Sequence, residues 1–409
     1  MKKLSTTENH LLVLLACAEA ALLLDRLAVG FLAPFLIPDL KLSNLQLGLL
    51  SSLFSLSFAV SGYLVSSLAD RFGRRWTWIT ALILLFSAAS AACGTSNSFT
   101  SLAAARIVLG TLEGPFLPIA LAVMRERSSP ARRSFNLAFV QNVGAFLLAQ
   151  LAGPIILIGL AVHHGWRAAF LFTAVPGVGI AAVMFMMRRN VAQGVRPLAQ
   201  TGVATTTAEA AWDRNVWVCV GIAACMGSWI LLQMTFLPKY LVQAGLTPTH
   251  MSLVMSLLGV GGCAASITLP PLSDRLGRRY ALRIGIALGL IGPLVALTVH
   301  APLVLSVGIL VGSIGLGCAP LYTSIIPADS SGHASTARAM AMVAGSSAIF
   351  GGVIAPSIGG ILADRFGLSA ILVLADVLAG LGLLLTLWLR RPIVTDTVEA
   401  AVTLQATTS

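Results

Sequence analysis

The chain has 409 residues and a formal net charge of +11, with 57% hydrophobic and only 10% charged residues. A soluble domain carries about 25% charged residues, so this composition excludes a soluble enzyme, a nucleic-acid-binding module and a disordered segment. The remaining class is a polytopic membrane protein.

Apolar stretches without Asp, Glu, Lys or Arg recur along the whole chain and are long enough to cross a bilayer. A spanning helix needs roughly 20 apolar residues, whereas a transmembrane strand needs about 10 of alternating polarity. The stretches here are longer and uniform, so we predict an all-α membrane protein with twelve transmembrane helices. The predicted spans cover residues 11–37, 46–68, 77–97, 100–124, 134–161, 168–187, 215–237, 250–272, 280–299, 302–327, 339–362 and 369–389.

The basic residues are distributed unevenly between the two ends of these spans. With a cytoplasmic N-terminus, 20 of the 26 Lys and Arg residues fall in cytoplasmic segments, four in outer loops and two inside spans. This bias follows the positive-inside rule. It predicts a multi-pass protein of a cell membrane with both termini in the cytoplasm, and it explains the net charge without a nucleic-acid partner. We expect the membrane to be a bacterial inner membrane.

Other sequence signals indicate neither an enzyme nor a metal protein. The six cysteines all lie in apolar spans, at spacings that fit no metal site and no disulfide framework. Lys2-Lys3 precede an apolar run that is too long for a signal peptide, so we expect a retained first helix. Phosphate-binding, zinc-protease and serine-nucleophile motifs are absent. We predict no metal and no cofactor, with protons as the coupling ion.

A repeated motif divides the chain into two parts. Asp70-Arg71-Phe72-Gly73-Arg74-Arg75 recurs 204 residues later as Asp274-Arg275-Leu276-Gly277-Arg278-Arg279, each time after the second span of a six-span group. Parallel six-span repeats are typical of rocking transporters. We predict an N-terminal six-helix half at 1–187, a cytoplasmic linker at 188–213, a C-terminal six-helix half at 214–389 and a cytoplasmic tail at 390–409.

The repeated motif also suggests a mechanical role. Glycine permits a tight turn between two helices, and an aspartate at a helix end can accept from arginine or from a neighbouring helix N-terminus. We expect a clasp that holds the cytoplasmic ends together in one conformation and releases them in another. Its predicted residues are Asp70, Arg71, Gly73, Arg74, Asp274, Arg275, Gly277 and Arg278.

Gly62-Tyr-Leu-x4-Ala-Asp70-Arg-Phe-Gly73-Arg-Arg75 resembles the loop signature of the major facilitator superfamily, and the second copy resembles its weaker repeat. The resemblance extends over the whole chain, through the twelve spans, the two halves and the central loop. It implies the major facilitator fold and says nothing about the substrate.

Apart from Arg283 at the cytoplasmic end of the ninth span, six charged residues lie inside the predicted spans: Glu19, Asp25, Arg26, Arg106, Glu113 and Asp376. A charge at the bilayer centre costs about 2.5–3.5 kcal/mol on insertion scales, so such residues usually have a function.

Arg106 and Glu113 are seven residues apart on the fourth span, and Glu19 and Arg26 are seven apart on the first, so each pair shares a helix face. Asp25 points elsewhere and needs a partner on the fourth or fifth span. Arginine stays charged and offers a planar fork to a carboxylate, which favours an anionic substrate. Structural ion pairs that only join the first and fourth helices remain an alternative.

Asp25-Arg26, followed by Arg106-x3-Gly110-x2-Glu113-Gly114, resembles the anion:cation symporter family, which includes bacterial sugar-acid/H⁺ symporters. The resemblance implies that Arg26 and Arg106 bind the substrate carboxylate and that Asp25 and Glu113 carry protons. It also implies substrate contact by an amide of the fifth span, for which Gln141 and Asn142 are the candidates.

The C-terminal half is expected to complete the substrate pocket. Polar or aromatic residues interrupt three of its apolar spans, and packing is the alternative role for each. The candidates are Trp229, Gln233, Tyr322 and Ser346.

We therefore predict a monomeric secondary active transporter that moves a small organic anion with protons by alternating access. Leu22-Leu23-Leu24 replaces residues that are often polar in the family, which favours a monocarboxylate with an apolar or aromatic body over a sugar acid. A drug/H⁺ antiporter that exports amphipathic compounds is the main alternative. A transport-like nutrient sensor is a third, although the short tail after Arg390 offers little room for a signalling extension.

Overall fold

The computed structural model describes residues 2–143, 146–192, 213–299, 301–331 and 336–390, and every regular element among them is helical. This confirms the all-α prediction. Most of the predicted linker and nearly all of the predicted tail lie outside the described residues. The boundaries of the two halves stay a prediction, and we use "N-terminal half" and "C-terminal half" only for the residues before and after the linker.

The helices of the N-terminal half follow the predicted spans closely. The fifth is irregular, because it joins α-helical turns (Arg133–Ala138 and Gly153–His164) to π-helical turns (Phe139–Val143 and Phe146–Ala152). We number the helices in chain order as α1 (Lys2–Leu40), α2 (Asn44–Phe72), α3 (Arg75–Gly94), α4 (Phe99–Arg127), α5 (133–164) and α6 (Trp166–Ala192).

The C-terminal half continues the same pattern, with a 3₁₀ and a π turn inside α10 and a π turn inside α11. Its helices are α7 (Arg214–Gln243), α8 (Pro248–Leu276), α9 (Arg278–Thr298), α10 (Pro302–Ser330), α11 (Arg338–Phe366) and α12 (Ser369–Trp388).

Ten helices in the described part of the chain are long and apolar enough to cross a membrane. The other two predicted spans, 11–37 and 134–161, fall on α1 and α5, and their crossing of the bilayer stays a prediction. We call the end of the bundle with the α1–α2 loop the outer end and the opposite end the inner end, following the predicted orientation.

Local sequence signals set several helix ends. Ser43 caps α2 in a capping box with Gln46, and Ser98 caps α4 in the same way with Ser101. Gly73 ends α2 in a left-handed conformation, with φ of 69°, which a residue with a side chain rarely adopts.

The two halves contact each other from the middle of the bundle to its outer end. Asp364 of α11 accepts from the backbone N–H groups of Asn44 and Leu45 at the start of α2, both at 2.9 Å. Nearer the middle, the Ser256 hydroxyl of α8 donates to the backbone carbonyl of Leu151 in α5 at 2.8 Å. These bonds hold the outer end closed.

Candidate functional site

Five of the six predicted intramembrane charges lie together where α1 meets α4. Asp25, Arg106 and Glu113 are almost completely buried, whereas the Arg26 side chain keeps 29% of its surface exposed. We call Glu19, Asp25, Arg26, Arg106 and Glu113 the charge cluster. Such a set of buried charges is stable only when its members are paired and hydrogen-bonded.

Arg106 binds the backbone and the carboxylate of the neighbouring helix. Its Nη1 donates to the Asp25 carbonyl oxygen at 3.2 Å and lies 3.4 Å from Asp25 Oδ2, and its Nη2 donates to the Arg26 carbonyl oxygen at 3.2 Å. Asp25 therefore finds its partner on the fourth helix, as one of the two predicted options. The Arg106 side chain is buried against α1 in this structure, and its Nε has no hydrogen-bond partner among the described residues.

The second oxygen of Asp25 is held by two hydroxyl groups. Ser90 of α3 and Thr173 of α6 lie 2.5 Å and 2.7 Å from Asp25 Oδ1, and both hydroxyls are buried. These two residues were missed in the sequence, because a single Ser or Thr in an apolar span is common and carries no spacing signal.

Arg26 pairs with Glu113 across the same interface. Arg26 Nη2 and Nε lie 3.2 Å and 3.3 Å from Glu113 Oε2. Arg106 and Glu113 share a helix face as the spacing predicts, yet each one pairs with α1 and they do not pair with each other. Two crossed ion pairs within the cluster therefore join α1 and α4, and Arg26 is the member of these pairs with an exposed portion.

Two phenylalanines of α2 cover the arginines. The Arg106 guanidinium lies 4.3 Å from the centre of the Phe54 ring, and that of Arg26 lies 4.4 Å from the centre of the Phe58 ring. Such contacts stabilise a desolvated cation by about 2 kcal/mol.

The α4 glycines explain how α2 comes so close. A Cβ at Gly110 would collide with the Phe54 carbonyl oxygen, and a Cβ at Gly114 would collide with the Phe58 carbonyl oxygen. The glycine spacing in the family-like motif thus brings the phenylalanine rings against the arginines.

The predicted C-terminal pocket residues are buried in packing contacts. Trp229 packs against Gly289 and Gly315, and the Gln233 amide donates to the Trp229 carbonyl oxygen. Tyr322 is buried, and the Ser346 hydroxyl is bonded to backbone carbonyls of Val220 and Val343. Their substrate role stays a prediction, and it would require a conformation different from this one.

The two predicted substrate-binding amides of α5, Gln141 and Asn142, lie on a π-helical turn. Gln141 is exposed on a π-helical turn, and Asn142 occupies the same turn with its side chain outside the described part of the structure. Their predicted substrate contact stays a prediction.

The ion pairs described for the repeated motif lie within single halves of the chain. Arg278 lies 2.5 Å from Asp274 and 3.2 Å from Asp329 at the end of α10, so its ion pairs stay within the C-terminal half. In the first copy, the neighbouring Arg75 pairs with Glu126 at the end of α4, again within one half. The Asp70 side chain lies outside the described part of the structure, and the clasp between the halves stays a prediction.

An apolar cavity lies apart from the residues of the charge cluster. It has a volume of about 820 Å³, lies between α1, α5 and α6, and is lined almost entirely by apolar side chains such as Leu24, Leu148 and Phe172. No group of three or more His, Cys, Asp or Glu side chains that could hold a metal ion occurs among the described residues.

The chain resembles several known transport proteins. It is 32% identical over 162 residues to the hexuronate transporter of Bacillus subtilis (strain 168), a match that spans 40% of this chain and only 38% of that protein. It is 26% identical over 294 residues to the probable sulfoacetate transporter SauU of Cupriavidus necator, covering 68% of each chain.

A crystal structure of a bacterial homolog of the human lysosomal transporter Spinster, inward-facing and unoccupied, superposes with a TM-score of 0.79 at 17% identity. The match covers 93% of this chain and 97% of that one. At this identity the likeness shows the fold alone. The sequence profile described as Major Facilitator Superfamily matches residues 15–335 and 216–405. The chain therefore belongs to the Major Facilitator Superfamily, as its repeated loop motif predicted.

Proposed function

We propose that this protein is a secondary active transporter that carries a small organic anion together with protons across a bacterial inner membrane. The observation that carries the proposal is the crossed pair of buried ion pairs in which only Arg26 keeps an exposed portion. The names of the two relatives, which refer to a hexuronate and to sulfoacetate, support an organic anion as the substrate class.

Arg26 is the substrate-binding arginine in this proposal. It is the accessible cation of the cluster, and its planar fork matches a carboxylate or a sulfonate. Arg106 holds Arg26 in position, because its guanidinium donates hydrogen bonds to the backbone carbonyl oxygens of Asp25 and Arg26 in α1. We therefore assign Arg106 mainly a positioning role in this conformation, with direct substrate contact left to other conformations.

Proton coupling follows from competition for Arg26. Glu113 and a substrate carboxylate both require the same guanidinium, and an ionised Glu113 occupies it at 3.2 Å. A proton on Glu113 removes its charge and frees Arg26 for the substrate. Substrate binding and proton binding therefore assist each other, which is the linkage that a symporter needs.

Alternating access then requires the outer contacts to open as the inner end closes. The contacts between the halves described above correspond to a state that is closed at the outer end, and the major facilitator fold moves one half against the other around a central site. We propose uptake towards the inner end, with cytoplasmic termini and a monomeric carrier.

Substrate-dependent alkalinisation of the bath around proteoliposomes tests this function. Galacturonate, sulfoacetate and benzoate should be tried separately, as a sugar acid, a sulfonate and an aromatic monocarboxylate. We expect at least one to carry protons with it, Arg26→Ala to abolish the signal, and Arg365→Ala, an exposed arginine at the outer end, to preserve it. Normal proton uptake in the Arg26→Ala variant would refute the assignment.

A further inference from the structure

Glu19 is a buried carboxyl group of the charge cluster that the mechanism above does not use. It is only 5% exposed, and its Oε2 has no hydrogen-bond partner among the residues that the structure describes. An ionised carboxylate oxygen that is buried without a donor is strongly unfavourable. Glu113 has the same feature, because its Oε1 is also buried without a described partner.

The two glutamates lie at the same depth in the membrane. Because Asp25 contacts Arg106, these two residues lie at about the same height along the helix axes. The helices α1 and α4 run in opposite directions. Glu19 precedes Asp25 by six residues and Glu113 follows Arg106 by seven, so both lie about 9–10 Å nearer the inner end. Glu19 also shares a face of α1 with Arg26, two turns away, and the Arg26 guanidinium pairs with Glu113.

The charge cluster becomes neutral when it binds one proton. Two arginines face three carboxyl groups, so the fully ionised cluster carries a net charge of −1 in an apolar setting. Asp25 accepts from Ser90, Thr173 and Arg106, which already stabilise its negative charge. The nearby Cys93 thiol adds no charge as long as it stays protonated. The oxygens without donors belong to the two glutamates.

We propose that Glu19 and Glu113 share one transferable proton and that Glu19, in place of Asp25, is the second proton site of this carrier. The inference rests on the proposed proton coupling and departs from the assignment that the family resemblance implies. Asp25 and Arg106 are then a permanently charged pair that holds α1, α3, α4 and α6 together.

The proton transfer balances without any other reactant. With the proton on Glu113, the O–H bond lies at its Oε1 and Arg26 is free to bind an anion. Breaking that bond and forming one at Glu19 Oε2 leaves Glu113 ionised, and Glu113 then takes Arg26 back and displaces the anion. The cluster keeps the same total charge throughout, so the step avoids the cost of creating a new buried charge.

Infrared difference spectroscopy of the reconstituted protein tests the inference without a substrate. The probe is the proton itself, followed through the C=O stretch of a protonated carboxyl group during a pH titration. All variants should carry Asp376→Asn, because the Asp376 carboxyl on α12 also has a buried oxygen without a described partner and would contribute its own band. We expect one cluster carboxyl band in this background.

Both Glu19→Gln and Glu113→Gln should remove that band, since either change leaves the cluster neutral with every remaining carboxyl ionised. Ser90→Ala, which removes one donor from Asp25, should leave it in place. A band that survives Glu19→Gln unchanged, or that shifts with Ser90→Ala but not with Glu19→Gln, would overturn the inference. Thermal unfolding of each variant identifies any variant that fails to fold. If Glu19→Gln does not fold, Glu19→Asp, which keeps a carboxyl group at this position, should show the band.

Failure of this inference and failure of the proposed function give different results. If the parent protein couples anion uptake to protons and Glu19→Gln keeps both the band and the coupling, the shared proton is refuted and the symport proposal stands. If the band behaves as expected but the parent protein moves no protons with any anion, the glutamate pair stands and the symport proposal fails.

Discussion

One carboxylate makes several of the hydrogen bonds that join the two halves at the closed outer end. Asp364 accepts from the Asn44 side-chain amide at 2.8 Å as well as from the two backbone N–H groups at the start of α2. Its carboxylate therefore caps the N-terminus of a helix in the other half, where a negative charge is favourable. We predict that Asp364→Asn shifts the protein towards an open outer end.

The magnitude follows from what asparagine loses. The substitution removes the charge at the helix N-terminus, worth about 0.3–1 kcal/mol at an exposed site, and one acceptor, worth about 0.5–1.5 kcal/mol. Because Asp364 is exposed, the lower parts of both ranges apply. The total of about 0.8–1.6 kcal/mol corresponds to a shift of about 4- to 15-fold in the ratio of closed to open molecules.

Distance measurements between spin labels at the outer end provide the assay. Thr95→Cys and Thr249→Cys place labels at exposed positions in the two halves, in a background where the partly exposed Cys17, Cys225 and Cys263 are replaced by alanine. The long-distance population should rise in the Asp364→Asn variant.

Asp39→Asn is the matched control for this measurement. Asp39 is also an exposed acid at the outer end, but it pairs with Trp166 and Arg167 inside the N-terminal half. The reasoning is refuted if Asp364→Asn leaves the distance distribution unchanged, or if Asp39→Asn alters it to the same extent.

Two further substitutions test the packing around the charge cluster. Gly110→Ala should destabilise the protein by about 1–3 kcal/mol, since its Cβ would collide with the Phe54 carbonyl oxygen, whereas Gly179→Ala, with no atom within 4 Å of the added Cβ, should leave thermal stability nearly unchanged. Thr173→Val should lower the unfolding temperature because a donor to the buried Asp25 is lost, at a cost of about 1–3 kcal/mol. Thr80→Val is the control for Thr173→Val and should have a much smaller effect, because the Thr80 hydroxyl donates to the Trp76 carbonyl oxygen of its own helix. The described packing would be contradicted if Gly110→Ala and Gly179→Ala, or Thr173→Val and Thr80→Val, destabilised the protein equally.

The sequence predicted the helices well because their signal is simple. An apolar stretch of membrane length must satisfy its backbone hydrogen bonds internally, so it forms a helix whatever its neighbours are. The spacing of the cluster residues also placed them on the correct helix faces. Only the pairing differed, because the approach of α2 through Gly110 and Gly114 and the crossing of α1 and α4 are tertiary features with no local signature.

One signal in the sequence was overlooked. The hexapeptide at 68–73, Leu-Ala-Asp-Arg-Phe-Gly, recurs unchanged at 362–367, so the inner end of α2 and the outer end of α11 carry the same six residues. Both copies end in a glycine with positive φ, at Gly73 and Gly367. The second copy contains Asp364, and a search for repeats outside the regular 204-residue offset would have singled out this residue as a candidate for a structural role.

The C-terminal pocket shows the limit of reasoning from single polar residues. Trp229 and Gln233 share a helix face as their spacing of four predicts, but that face is packed against α9 and α10 inside the C-terminal half. Which face of an apolar helix meets a cavity depends on the helices around it. Periodicity alone cannot supply that information when nearly every position is hydrophobic.

Transport by Glu113→Gln tests the central claim, the competition between Glu113 and the substrate for Arg26, most directly. Glutamine cannot ionise, so it cannot reclaim the guanidinium or carry a proton. The account predicts that this variant, in proteoliposomes, still exchanges labelled anion for unlabelled anion across the membrane but no longer accumulates it in response to a pH gradient. Accumulation driven by a pH gradient at the rate of the parent protein would contradict the account.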